Sequence, residues 1–449
     1  MQQHVQDMDT EQPDEGTGRP PVRSVLVGAG HRGRVYGRFA ETWPADMSFT
    51  VVVERDPDRR AAAASRHEVP SEHQYASVDE LPPAGIHAEA AICATMDADH
   101  VEVATTLLRK GYHVLLEKPI AQSAADLLTL EDEAAAAGTV LMVCHVLRYA
   151  PFFVEINNRV RDGAIGELVS VTMTEQVRYG HMATAFVRGP WRNADQTGSG
   201  MLLAKCCHDL DLMSWLAGPH RPVRVSSTGR LGYFDRDHAP EGAGTRCLGD
   251  CRIESSCAYS AKRLYVDLDL YGKHAWSGLP VEDRDSRAAR LDSLRGDNPY
   301  GECVWRSDNT VVDRQVVSVE FDNGAVGSFT LAGTGCGPAR TIMLVGTQGT
   351  IEGTLDTGSF TVRRVATSGE TVTTTEHVDV GVSHQVHGGG DMPLVADFVG
   401  AVRGGTTSPS RTTLDDSING HLIVFGAERA RHERRWVELD EFRTVVQRQ

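Results

Sequence analysis

The chain has 449 residues, 41% of them hydrophobic and 24% charged, and a formal net charge of -16. That length holds two domains with ample core, and the negative balance argues against nucleic acid or a membrane surface as partner. No apolar run approaches the ~20 residues needed to span a bilayer.

The start, "MQQHVQDMDTEQPDEGTGRPP", is acidic and lacks an apolar core, so residues 1–21 read as a disordered tail rather than a signal peptide. The first third then alternates strand and helix signals. "RSVLVGAG" is a short apolar run broken by glycines, and a helical pattern follows from Arg32 to Trp43-Pro44. "FTVVVERDP" is a second strand, after which Asp56-Pro57 reads as an N-cap with proline in the first helical position. "HAEAAICAT", "YHVLLEKP" and "TVLMVCHV" are further strands with helices between them. This alternation predicts right-handed crossovers and a parallel Rossmann sheet over residues 22–147.

Beyond that point the rhythm changes. "LVSVTMTEQV", "QVVSVEF", "GAVGSFTL" and "TIMLVGTQGTIEG" read as longer, half-buried strands, two of them joined through Asp322-Asn323-Gly324. Residues 232–314 are irregular and rich in Arg, Asp, Gly and Cys, which predicts loops on that sheet. Helices are expected near 392–403 and 414–431. The chain is therefore an α/β protein, with a second α/β domain over 148–435 and a C-terminal extension over 436–449.

"VLVGAGHRG" places Gly28, Gly30 and Gly33 in G-x-G-x-x-G spacing after a strand and at the opening of a helix. The first glycine permits the tight turn, the second lets backbone approach a pyrophosphate, and the third lets the helix pack closely. Glu54 ends the second strand, where a carboxylate binds ribose hydroxyls and repels a 2′-phosphate. That favours NAD, although the neighbouring Arg55 leaves NADP open.

"GAGHRG", "CATMDADHVEVATTLLRKGYHVLLEKPIA" and "GTQGTIEG" together resemble the Gfo/Idh/MocA family of glucose–fructose oxidoreductase, inositol dehydrogenase and relatives. "HVLRYAPFF", "FVRGPWRN", "KCCHDLDLMSWL", "HGGGDMPLVADF" and "INGHLIVFGAERAR" look like one branch of it, so the likeness covers nearly all of the chain after residue 22. The resemblance implies a Rossmann domain followed by an α/β domain whose large open, mainly antiparallel sheet covers the active site on one side. The other side often makes oligomer contacts, so a homo-oligomer is expected. Members mostly oxidise or reduce a carbinol carbon of a sugar, cyclitol or polyol with NAD(P).

Carried over residue by residue, the likeness assigns His31, Arg32, Thr95 and His100, with the glycine turn, to the coenzyme. His100 would flank the nicotinamide, although Met96 stands where that turn usually has proline. Glu117 would lie near the nicotinamide ribose and Lys118 near the reacting hydroxyl. The family's substrate-contacting histidine matches His208. The aspartate four residues earlier is replaced by Ala204, which leaves Lys205, Asp209 or Lys118 to complete proton transfer. Arg148, Tyr149, Trp191 and Arg192 are candidates for the substrate wall, each open to a packing role instead. His387 of "HGGGD" has a plain turn as its alternative.

The residues themselves say more about 202–218, "LLAKCCHDLDLMSWLAG". A helix from Gly200 to the Gly218-Pro219 stop puts Lys205, His208 and Asp209 on one face, while Cys206 and Cys207 diverge and serve as packing. Imidazole suits base catalysis because its ordinary pKa lies near neutrality. Nine cysteines, an odd number, point to reduced thiols and a cytoplasmic protein. Cys247, Cys251 and Cys257 could hold zinc or an iron–sulfur centre with a fourth ligand such as Cys303, or be free thiols in a polar loop. Three activities fit: a sugar or cyclitol dehydrogenase, a redox-type NAD-dependent glycosidase or lyase, and a non-catalytic regulator that binds nucleotide and sugar.

Overall fold

The computed structural model describes residues 19–337, 339–368, 372–383, 386–405 and 408–446. Most of the expected N-terminal tail and the last three residues of the expected extension lie outside them. Two compact units emerge, and they interleave along the chain. The first takes residues up to Glu117, Leu130–Tyr149 and Gly389–Thr413; the second takes Lys118–Thr129, Ala150–Gly388 and the stretch from Leu414 onward.

The first unit is built on six parallel strands: β1 (Val22–Val27), β2 (Met47–Val53), β3 (Gln74–Tyr75), β4 (Ala90–Cys93), β5 (His113–Leu116) and β6 (Leu141–Val143). Their order is β3-β2-β1-β4-β5-β6. Continuous burial of "AAIC" and of Val114–Leu116 is what a sheet covered on both faces requires. Helix α1 (His31–Thr42) buries Gly33, Tyr36, Gly37, Phe39 and Ala40, a single helical face. Asp56 caps helix α2 (Pro57–Arg66) by accepting from the Arg59 amide at 2.9 Å. The helix Asp391–Val402 adds Leu394, Val395, Phe398 and Val399 to this same core. A segment far along the sequence, expected with the second domain, thus completes the first unit.

The second unit carries nine strands: β7 (Leu168–Arg178), β8 (Pro222–Arg230), β9 (Arg314–Phe321), β10 (Val326–Gly335), β11 (Arg340–Gly346), β12 (Gly349–Thr354), β13 (Ser359–Val365), β14 (Thr373–Asp379) and β15 (Val437–Glu438). The order is β14-β13-β12-β11-β7-β10-β9-β8-β15, antiparallel throughout except for the parallel β7–β10 pair. Burial alternates along β9, with one face inward and the other open. The Asp322-Asn323-Gly324 turn joins β9 to β10, with Gly324 at φ 84° and the Asn323 side chain accepting from the Ala325 amide at 3.0 Å. The helices Cys207–Leu216 and Leu414–Glu433 pack together within this unit. Their backbones meet at Gly420, where a Cβ would lie 2.7 Å from the Asp211 Cα.

The stretch expected to be loops is an ordered connection between β8 and β9, made of short helical turns and one longer helix, Arg287–Arg295. Its ends are tied by Asp313, whose Oδ2 accepts from the Gly232 and Tyr233 amides at 3.0 and 2.6 Å. Its middle is held by Arg188. That fully buried guanidinium donates to the carbonyls of Glu302 at 2.7 Å and Tyr259 at 2.8 Å. Such turns are too short to leave a sequence period, which is why the segment reads as irregular.

Candidate active site

In the first unit, the β1–α1 turn is shaped by its glycines. Gly28 has φ 85°, and a Cβ there would sit 2.6 Å from the Ala94 carbonyl oxygen. A Cβ on Gly33 would lie 2.1 Å from the Gly28 carbonyl oxygen, so the helix start rests directly on the turn. At Gly30 nothing lies within 4 Å, which leaves room for a phosphate against the backbone. Glu54 accepts from the Ala29 amide at 2.8 Å and the Asp56 amide at 3.0 Å, so the acid at the end of β2 pins the turn. Each carboxylate oxygen keeps a second lone pair for a ribose hydroxyl. Arg55 is exposed and paired with Asp99. His31 is exposed at the first helical position. Thr95 follows β4, and the buried His100 faces its carbonyl at 3.4 Å, bracing that loop.

Arg32 links three segments. It donates to Glu117 at 2.5 Å, to Asp391 at 2.6 Å and to the Tyr36 hydroxyl at 2.5 Å, while Tyr36 donates to Glu117 at 2.6 Å. Burial alone would lower the guanidinium's pKa; Tyr36, Glu117 and Asp391 outweigh it and hold it well above its ordinary value. Glu117 is thereby fixed at the end of β5. Arg148 and Tyr149, expected on the substrate wall, belong to this unit's interior. Arg148 is 1% exposed, and the Tyr149 hydroxyl donates to Asp397 at 2.7 Å.

In the second unit, Lys118 Nζ donates at 3.0 Å to the carbonyl of Ala204, the residue at the position where the resemblance implies an aspartate. The loop bearing Lys118 is fixed by His421, whose Nε2 accepts from the Ile120 amide at 3.0 Å. The helix expected to run unbroken from Gly200 is interrupted: Met201–Ala204 and Cys207–Leu216 are separate helices with Lys205 and Cys206 in the turn between. That turn sends the Lys205 ammonium to Glu175 of β7, 3.1 Å away. His208 is 4% exposed, and its ring lies 5.7 Å from that of His387.

Asp209 is engaged by a second buried charge. It is fully buried, and Arg340 of β11 donates to its two oxygens at 2.7 and 3.3 Å. Arg340 also lies 2.9 Å from Glu175, its cross-strand partner. Burial pushes the Asp209 carboxyl up, against the pull of Arg340. Arg192 pairs with Asp308 at 2.5 Å, and the half-buried Trp191 packs near Phe186. A histidine that sequence reading passed over, His181, stands close to these groups: burial, then Lys205, His274, Arg340 and Lys118, press its pKa down to about 3.

The cysteines do not make a metal centre. Cys247, Cys251, Cys257 and Cys303 line one small cavity together with Arg188, whose Nη2 lies 3.5 Å from the Cys247 sulfur. Burial raises the Cys257 and Cys303 thiols, whereas a metal needs thiolates, and a guanidinium stands in the place of a cation. Among the described residues no group of three or more His, Cys, Asp or Glu side chains is arranged to hold a metal ion. All nine cysteines are free thiols. No described helix is long and apolar enough to cross a membrane.

Family models agree with this architecture. Residues 22–145 match the oxidoreductase family's NAD-binding Rossmann fold, and residues 158–439 match its C-terminal alpha/beta domain. The chain belongs to the Gfo/Idh/MocA oxidoreductase family. Within that family it is similar to the Bacillus subtilis protein YteT, 28% identical over 58% of this chain and 59% of that one. Inositol 2-dehydrogenase of Leifsonia xyli is 29% identical over 50% of this chain and 61% of its own length. The chain therefore spans about three fifths of these curated relatives. Levoglucosan dehydrogenase in complex with NADH superposes with a TM-score of 0.67 at 18% identity, covering 93% of this chain and 99% of that one, which shows the shared fold.

Proposed function

We propose that this Gfo/Idh/MocA protein is an NAD-dependent oxidoreductase acting on a carbinol carbon of a sugar, cyclitol or related polyol. The observation that carries the reading is the Lys118–Ala204 contact, which brings the lysine of "EKP" to the turn leading into His208. Inositol and levoglucosan dehydrogenases among its relatives support the substrate class.

NAD, when bound, supplies the hydride acceptor. Gly28, Gly30 and Gly33 would cradle its phosphates, and Glu54 would take the ribose hydroxyls. Glu54 disfavours a 2′-phosphate, and Arg55, committed to Asp99, is poorly placed to grip one. His208 accepts the substrate hydroxyl proton, and the Lys118 ammonium steadies the oxygen as it becomes anionic. Lys205, tethered to Glu175, orients the turn between them and can pass the proton onward. Trp191 forms part of the substrate wall. The open sheet face, with Val316, Val326 and Met343 exposed, suits contact with a second copy in the cytoplasm.

The test is a panel of polyols and glycosides with NAD and with NADP, following both coenzyme reduction and aglycone release. Net reduction with NAD is expected. Aglycone release without net reduction would replace the reading with a redox glycosidase, and neither with a regulator. Lys118→Ala should lower kcat by about 10²–10⁴-fold with coenzyme affinity retained.

A further inference from the structure

A chain with a formal net charge of -16 gathers cations at one edge of its second unit. The run "RARHERRW", residues 429–436, ends the long helix Leu414–Glu433 and leads into β15. β15 pairs with β8 only at Arg224 and Val225, so the edge of β8 beyond them is open. The Leu439 amide donates to the Val223 carbonyl at 2.8 Å, and the two-residue period of a strand turns the Ser227 and Gly229 amides to that same side. Between this edge and the helix end lies a groove of about 800 Å³. Arg230, Arg431, Arg434 and Arg435 line it, and among the described residues no Asp or Glu does.

Two of these arginines are balanced from outside the groove. Arg431 meets Glu428 at 2.7 Å, and Arg435 meets Glu433 at 2.6 Å and Glu441 at 2.9 Å. Their place in the last turn of a helix also suits the negative end of its dipole. Arg230 and Arg434 differ. Both are exposed, and neither enters an ion pair among the described residues. Arg230 is on a strand, where no helix dipole calls for a cation, and it faces Arg314 across the ladder. The two guanidiniums crowd one point: a Cβ on Gly232 would lie 2.9 Å from Arg230 Nε and 3.2 Å from Arg314 Cζ. The nearby Asp313 is taken up by Arg314 at 2.8 Å and by the Gly232 and Tyr233 amides. Like charges opposed on a sheet are destabilising, and a bound anion removes that cost.

We infer that this groove is a binding site for an oligophosphate, built from none of the residues of the glycine turn. Arg230 and Arg434 present planar forks that match phosphate oxygens in pairs. The Ser226 and Thr228 hydroxyls and the open edge amides supply further donors. Cations stand on both the strand wall and the helix-end wall, so several phosphates in a row answer the groove better than one. Trp436, 45% exposed, lines it too, with the Arg224 guanidinium 5.1 Å from its ring centroid. That ring distinguishes a free oligophosphate from one carried by a nucleotide.

The experiment titrates tripolyphosphate, and separately ATP, into the full-length protein saturated with NADH, by calorimetry at low salt. Tripolyphosphate should bind, and added salt should weaken it. Arg230→Gln and Arg434→Gln should each weaken it about tenfold with NADH affinity unchanged; both side chains are exposed, so neither change threatens the fold. Arg363→Gln, an exposed position on the distant strand β13, should leave it unaltered. ATP binding more tightly than tripolyphosphate, with the excess lost in Trp436→Leu, would identify a nucleotide as the carrier; equal affinities would identify the oligophosphate alone. Absence of tripolyphosphate binding to the wild type would overturn the site. So would an affinity undiminished in both Arg230→Gln and Arg434→Gln, or one weakened as much by Arg363→Gln, which would mark a diffuse attraction to the surface.

Discussion

Replacing Arg340 by methionine tests the polar centre of the second unit. Arg340 is 10% exposed at its side chain and joins Glu175 and Asp209, which are 3% and 1% exposed. Methionine fills the volume but leaves two carboxylates facing one another in the core, with Lys205 reaching only Glu175. Removing one partner of a buried ion pair costs about 3–5 kcal/mol. For a unit of this size that lowers its melting temperature by roughly 5–8 °C. The loss should also depend on pH. The Asp209 carboxyl is already held above its ordinary value by burial, with Arg340 opposing; without Arg340 it rises further. A carboxyl raised in the folded state contributes its stability at pH below its unfolded value, about 3.9, and loses it as pH climbs through the folded value. The deficit of Arg340→Met against wild type should therefore widen between about pH 5 and pH 8. Guanidinium unfolding followed by tryptophan fluorescence at both pH values measures it. A deficit under about 1 kcal/mol, or one equal at the two pH values, would refute the argument.

Other changes probe the neighbouring supports. His421→Phe leaves the Ile120 amide buried without its acceptor, at a cost of about 1–3 kcal/mol; kcat should fall while coenzyme affinity, titrated by fluorescence, holds. Gly420→Ala drives a Cβ to 2.7 Å from the Asp211 Cα, and separating the two helices should cost about 1–3 kcal/mol by denaturant titration. Glu54→Gln removes the charge that repels a 2′-phosphate and sets an amide nitrogen against one of the two backbone N–H groups Glu54 holds, so both coenzymes should bind more weakly while the ratio of NAD to NADP affinity drops several-fold in paired binding titrations.

Much of the first unit is legible because its signals are local. The spacing of Gly28, Gly30 and Gly33 describes one turn, and Asp56-Pro57 describes one cap; neither needs a distant partner to be understood. Asp391 is different. It reaches Arg32 from more than three hundred residues away, and nothing in "HGGGDMPLVADF" says that this helix completes the nucleotide-binding unit. The same holds for His421 beneath the Lys118 loop and for Arg340 beside Asp209, since a buried partner leaves no periodic trace. The 200–218 segment misled in a different way. Helical spacing puts Lys205, His208 and Asp209 on one continuous face, but the chain breaks at Lys205 and Cys206. The break turns the lysine to Glu175 and leaves Asp209 beneath the sheet. Tyr271 and His274 lie in a stretch whose short turns carry no pattern.

The ends of the connection between β8 and β9 have a consequence of their own. Arg230 and Arg314 face each other across an antiparallel ladder, and Asp313 fastens the departing chain to the returning one. Everything from 231 to 313 is thus a single hairpin loop grown to the size of a small module, rooted at one hairpin of the sheet and braced at its middle by Arg188. A gene that exchanged this cassette for another would keep the strand register intact, so long as the buried Arg188 still met carbonyls to donate to. Cassette and scaffold can therefore diverge at separate rates in descendants of this chain.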